Sequence, residues 1–232
     1  MTKKSKNSPP RIEAVRLKKK KGRKLSSKLW LERQLNDPYV VQARKLGYRS
    51  RAAFKLKELN EELKFLKKKC RVVDLGAAPG GWTQVILEEV DTTHPTSQVI
   101  ALDILPMEEI LGALVLQMDF SLPEAPDLLK QHLKGPVDVV LSDMAPASTG
   151  HRQTDHIRII SLTEMALDFA IQVLAPGGIF IAKVWQGGTT GELLKLLKES
   201  FDHVSHIKPP ASRKESAEVY VVARGFKEKI NL

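Results

Sequence analysis

Five short apolar runs constrain the fold of this chain more than any other feature. They are VVDLG (72–76), VIALD (99–103), LVLQMD (114–119), VDVVLSD (137–143) and GIFIAKVW (178–185). Each is nearly continuous in apolar residues rather than alternating, as strands covered on both faces are. Helices are predicted from about Gly81 to Val90, over roughly 123–133, over about 155–174 with Pro176-Gly177-Gly178 as its stop, and from about Gly191 to Glu199. Upstream, Ser50 reads as the N-cap of a helix carrying Phe54, Leu56, Leu59 and Leu63. HVSHI (203–207) and EVYVVAR (218–224) follow with no clear helix between them, which predicts an antiparallel edge. The expected class is α/β: a mostly parallel seven-stranded sheet with helices on both faces. It should occupy residues 36–227, leaving a short tail over 228–232.

Charge divides the chain differently. Residues 1–35 hold 13 basic and 2 acidic side chains, whereas the other 197 residues hold 24 basic and 25 acidic ones. The whole excess of +10 therefore sits in a Lys-rich arm that includes KKKKGRK (18–24). Such a segment cannot bury a core and is expected to be disordered alone. A basic arm on a mildly acidic body suggests a polyanionic partner, with a solubilising tail or an organellar presequence as the alternatives. No run approaches the roughly 20 apolar residues that span a bilayer. MTKKSKNSPP is followed by no apolar stretch of the secretory kind, and a single cysteine, Cys70, permits no internal disulfide. These features point to the cytoplasm.

VVDLGAAPGGWTQVI (72–86) carries the clearest chemical signal. A strand passes through a turn of small residues into a helix, and Gly76, Gly80 and Gly81 let backbone approach a ligand closely. Ligands of open α/β sheets bind at the carboxyl ends of strands, where this turn falls. It is not a phosphate-binding Gly-Lys-Ser/Thr loop, and Ala78 replaces the second glycine of the dinucleotide fingerprint. Asp103, Asp119 and Asp143 end the next three strands, so all three should gather at one rim. Lys183 lies inside an apolar strand, where a lysine is rare unless paired, and Asp143 could pair with it. Glu218 opens the last strand.

In this order GAAPGGWTQ, ALDILPM, MDF, SDMAP, APGGIFIAKVWQG and KESAEVYVVA (214–223), with SRAAFKLKEL (50–59) upstream, resemble the FtsJ/RrmJ-type ribosomal RNA 2′-O-ribose methyltransferases. The resemblance covers about 40–225. It implies a Rossmann-like fold that uses S-adenosylmethionine as methyl donor. It also implies cofactor contacts at Gly80, Trp82, Asp103, Asp119 and Asp143. The family's Lys-Asp-Lys-Glu centre falls on Lys55, Asp143, Lys183 and Glu218, with Lys183 as proton acceptor. The implied substrate is a uridine of 23S rRNA in the large (50S) ribosomal subunit, methylated in support of ribosome maturation. The enzyme is expected to act as a monomer, with no membrane, DNA or metal involved.

A 2′-hydroxyl target means RNA, since DNA lacks that group. The reaction is an in-line displacement. Alignment of oxygen, methyl carbon and sulfur can supply ~7–11 kcal/mol, and a general base adds ~10²–10⁴-fold, so positioning is the larger contribution. Other readings of the same residues are a 2′-O-methyltransferase of tRNA or of a messenger cap, and an RNA-binding ribosome-assembly factor. The chain lacks the Asn/Asp-Pro-Pro-aromatic motif of amino-group methyltransferases. Cys70 reads as packing, and His203 and His206 as surface or packing residues.

Overall fold

The computed structural model describes residues 31–32, 34–187 and 191–228. The basic arm expected over 1–35 therefore lies almost entirely outside the described residues, as does the tail beyond Glu228. The ordered elements are α1 (Pro38–Leu46), α2 (Ala52–Leu63), β1 (Arg71–Leu75), α3 (Gly81–Glu89), β2 (Gln98–Asp103), β3 (Leu114–Gln117), α4 (Ala125–Gln131), β4 (Val137–Ser142), α5 (Arg152–Val173), β5 (Leu174–Trp185), α6 (Gly191–Ser200), β6 (Phe201–Ile207) and β7 (Glu218–Phe226).

The seven strands form one sheet in the order β3-β2-β1-β4-β5-β7-β6. Strands β1 to β5 pair in parallel, and β7 runs antiparallel to both of its neighbours. The expected antiparallel pair is present, but of the two strands β7 lies inside the sheet and only β6 is at an edge. Burial explains the placement: Val219 to Ala223 are all buried, whereas β6 exposes most of its residues. Strand order reverses between β1 and β4, so loops leaving their carboxyl ends diverge and open a crevice.

Each sheet face has its own core. Leu102, Phe120, Val140, Phe169 and Phe180 pack on the face covered by α4, α5 and α6. Leu56, Leu59, Trp82, Ile86, Ile181 and Tyr220 pack on the face covered by α1, α2 and α3. Helix α1 shows the local logic in full. The Asp37 side chain accepts from Tyr39 N at its start, Pro38 fills the first turn, and Gly47 at φ 79 ends it.

Three local expectations need correction. Ser50 is not the cap of α2: Arg51 holds that position with no side-chain cap bond, while the Ser50 hydroxyl is buried against Gly81. A Cβ on Gly81 would sit 2.2 Å from that oxygen, so close packing of α2 on α3 takes the hydroxyl away from the helix end. Helix α5 stops at Val173 without using the Pro-Gly-Gly sequence. Leu174 is already extended, and Pro176-Gly177-Gly178 falls inside β5, where pairing with β4 shifts register between Val137 and Val139. Strand β3 ends at Gln117, so Asp119 lies in the following turn, accepting from the backbone N–H and the hydroxyl of Ser121.

Candidate active site

The turns leaving β1, β2 and β4 surround a cavity of about 710 Å³. Its polar lining includes Asp103, Asp119 and Asp143, so the three carboxylates expected at one rim do share it. Leu102, Phe120 and Met165 supply apolar walls. Gly76, at φ 76, lets the first turn pack against the turn after β4; a Cβ there would lie 2.6 Å from Met144 N. Asp103 accepts from Ala78 N and Leu105 N, both at 2.8 Å, and so binds the glycine-rich turn to the loop after β2.

Gly80 and Trp82 are not among the lining residues. Gly80 opens α3 at φ 109 beneath Arg49, whose side chain a Cβ would crowd at 3.2 Å. Trp82 is 2% exposed, donates its indole N–H to Ala52 O at 2.9 Å, and packs 5.5 Å from the Tyr220 ring. These contacts brace α2 and β7.

A chain of polar side chains continues from the cavity. Lys183, only 6% exposed, places Nζ 3.1 Å from Asp143 Oδ1 and also donates to the Asp143 carbonyl. Tyr220 donates its hydroxyl to Asp143 Oδ1 at 2.8 Å. Lys55, on α2, lies 3.2 Å from the Tyr220 hydroxyl and 3.2 Å from Glu218 Oε2. The sheet register builds this convergence. Lys183 opposes Tyr220 and Trp185 opposes Glu218 in the β5–β7 ladder, and directly opposed residues share a face. Lys55, Asp143, Lys183 and Glu218 thus meet, although 163 positions separate Lys55 from Glu218.

Tyr220 joins the two halves of that centre; it lies inside KESAEVYVVA (214–223), but the resemblance assigns it no role. The one available signal is its two-residue spacing from Glu218, which puts both on one face of a strand. Burial alone would push the Asp143 carboxyl up; the charges of Lys183 and Lys55 and the bonds from Tyr220 and Lys183 outweigh it and hold the group below the usual carboxylate range. Burial and the Asp143 charge push the Tyr220 phenol well above its ordinary value, so it remains a donor. Cys70 is buried and its thiol is pushed up to about 12, chiefly by burial, as suits a packing residue.

Asp74 is a second group that the sequence motifs leave unassigned. It is 0% exposed, takes one bond from Thr83 Oγ1 at 2.7 Å, and has Oδ1 unpartnered. Burial raises it to about 7, with Asp143 and Asp103 adding to the rise and Thr83 opposing it. The folded protein therefore holds a proton there that the unfolded chain releases near ~4. Stability from this group is complete below that value and declines as pH rises towards 7, by up to ~4 kcal/mol. Asp74→Asn is expected to flatten this slope between pH 4 and 7, measured by urea unfolding across pH.

A profile of the FtsJ-like methyltransferases matches residues 48–226. The chain belongs to that family. Similar proteins include the ribosomal RNA large subunit methyltransferase E of Paramagnetospirillum magneticum, 60% identical over 92% of this chain and 88% of that one. The protein of the same name from Gluconobacter oxydans is 54% identical over 94% and 79%. A crystal structure of a ribosomal RNA methyltransferase from Plasmodium falciparum superposes with a TM-score of 0.68, at 34% identity, covering 77% of this chain and 98% of that one. The sheet found here is thus a methyltransferase fold, and the family's methyl donor is S-adenosylmethionine.

The cavity suits that donor. Its volume lies in the ~300–1,000 Å³ range of small-ligand sites. A cationic nucleoside needs carboxylates and an apolar wall, and both are present. Each Asp103 oxygen accepts one backbone N–H and keeps further acceptor capacity for ribose hydroxyls.

Proposed function

We propose that this chain transfers a methyl group from S-adenosylmethionine to the ribose 2′-oxygen of a uridine in 23S rRNA of the large ribosomal subunit, acting as a cytoplasmic monomer. The observation that carries the reading is the continuous chain Lys183–Asp143–Tyr220–Lys55–Glu218 beside the three-carboxylate cavity. The names of the relatives support ribosomal RNA as the substrate class.

Asp103 and Asp119 hold the adenosine end of the donor, and Asp143 lies nearest the reacting end. When bound, the donor supplies an electrophilic methyl on a sulfonium. Lys55 and Glu218 grip the ribose as paired donor and acceptor. Lys183 accepts the 2′-hydroxyl proton while the oxygen–carbon bond forms and the carbon–sulfur pair returns to sulfur. Asp143 holds that amine through both its carboxylate and its carbonyl, and Tyr220 fixes the carboxylate. Gly80 and Trp82, at the turn that opens α3, are assigned to the donor as well, and Trp82 also braces Tyr220.

The deciding experiment supplies labelled donor to large subunits isolated without this modification and maps the product. Label should appear at one uridine whose 3′ phosphodiester resists alkali, because a 2′-O-methyl group blocks the internal attack. Base-located label, or none in rRNA, would overturn the reading. The arm over 1–35 is assigned to binding phosphates. Its deletion should weaken rRNA binding and make log K fall less steeply with log salt, by ~0.7–0.9 for each phosphate the arm neutralises. An unchanged slope in filter-binding titrations would remove the arm from the interface.

A further inference from the structure

Extending the catalytic ladder by one rung reaches an aromatic pair that the transfer chemistry does not use. Trp185 follows Lys183 by two residues, so both side chains leave β5 on the same side, and Trp185 opposes Glu218. Its ring lies 6.1 Å from that of His156, tilted by 35°. His156 stands on the first turns of α5, which also expose Arg152 and Arg158, and Arg158 lines the donor cavity. Both rings are only partly buried and keep accessible surface.

We propose that Trp185 and His156 form a stacking platform for the base of the target nucleotide, with Arg152 and Arg158 contacting the adjoining phosphates. The inference rests on the function proposed above and deepens it. The carbon that bears the 2′-oxygen is bonded to the carbon that bears the base. A ribose held between Lys183 and Glu218 must therefore place its base within about one ring's width of the reaction centre. There the base has left its neighbours in the RNA and lost their stacking. RNA-binding sites recover that loss with aromatic faces, which are sequence-tolerant because every base has a π-face. Arginines beside the platform then fix the strand through its backbone.

The test uses the full chain and undermethylated large subunits. Trp185→Ala should raise KM for the subunits about ten- to a hundredfold, the range that base–aromatic stacking carries per base. Its kcat should stay within about threefold, and its affinity for S-adenosylhomocysteine within about twofold. Trp185→Phe should restore KM to near the native value, and His156→Ala should lie between. The base itself is probed with single-stranded oligouridine and an abasic oligomer of the same length. The emission that distinguishes the native protein from Trp185→Phe should be quenched by the first and not by the second. Equal quenching by both, quenching by neither, or failure of phenylalanine to restore KM in a variant that melts normally would each overturn the platform. A native protein that places no methyl on ribose would overturn the parent reading together with it.

Discussion

Lys183→Ala is expected to slow methyl transfer by about 10²–10⁴-fold at saturating substrates, the range a positioned base contributes. Binding of S-adenosylhomocysteine should change less than threefold, because Lys183 is not among the residues lining the donor cavity. The substitution leaves Asp143 with the Tyr220 bond and the nearby charge of Lys55, so the fold should survive. Lys183→Arg separates the two roles a lysine could have here. A guanidinium keeps the positive charge beside Asp143 but is effectively never deprotonated. If Lys183 merely balances the carboxylate, arginine should work nearly as well. If it accepts the proton, arginine should be as slow as alanine. Single-turnover kinetics with labelled donor decides, and arginine activity within threefold of native would refute the base assignment.

Lys183 is legible in the sequence because burial turns a lysine into an anomaly. IFIAKVW is too apolar to leave a charge unexplained, and a partner stands ready at the end of the preceding strand. The three aspartates are legible by the same reasoning, since parallel strands deliver their carboxyl ends to one rim. Tyr220 is opaque for the opposite reason. An aromatic in a strand is ordinary, and only the pairing of β5 with β7 reveals that its hydroxyl meets Asp143 and Lys55. Asp74 is hidden by its position at the end of an apolar run, where a carboxylate facing solvent and one facing the core read alike.

Strand order is the least accessible part of the fold. EVYVVAR and HVSHI announce an antiparallel pair, but which of them faces the edge depends on contrast between them. The first has a continuous apolar stretch suited to two neighbours, and the second alternates with histidines and serine, as an edge strand does. A pair of strands considered together hides that contrast. A second feature has no local signal at all. The carboxylate of Asp37 lies 3.2 Å from both Arg51 and Arg213, and Glu58 accepts from Ala211 N at 2.6 Å. These contacts tie the start of the domain to the loop that delivers Glu218. No periodicity encodes a bond across 176 positions.

Asp143→Ala should strongly destabilise the fold itself. It strands the Lys183 ammonium at 6% exposure with only a backbone carbonyl, and it removes the acceptor of the buried Tyr220 hydroxyl. Removing one member of a buried pair typically costs about 3–5 kcal/mol, because the other charge is left uncompensated. In a domain of this size that corresponds to a melting temperature lower by roughly 6–20 °C. The pH dependence should change as well. The native Asp143 carboxyl titrates below its unfolded value, so its contribution is complete above pH ~4 and is lost as pH falls through the folded value. The variant should lack that part of the acid limb. Activity and stability can then be separated by adding Lys183→Met. An apolar side chain of similar length fills the same space without a charge to satisfy, so the double variant should recover most of the melting temperature while remaining inactive. Calorimetry and methyl-transfer assays on the single and double variants test both halves. A double variant as unstable as Asp143→Ala would mean that the cost lies in Tyr220 or in backbone packing at the end of β4, rather than in the stranded lysine.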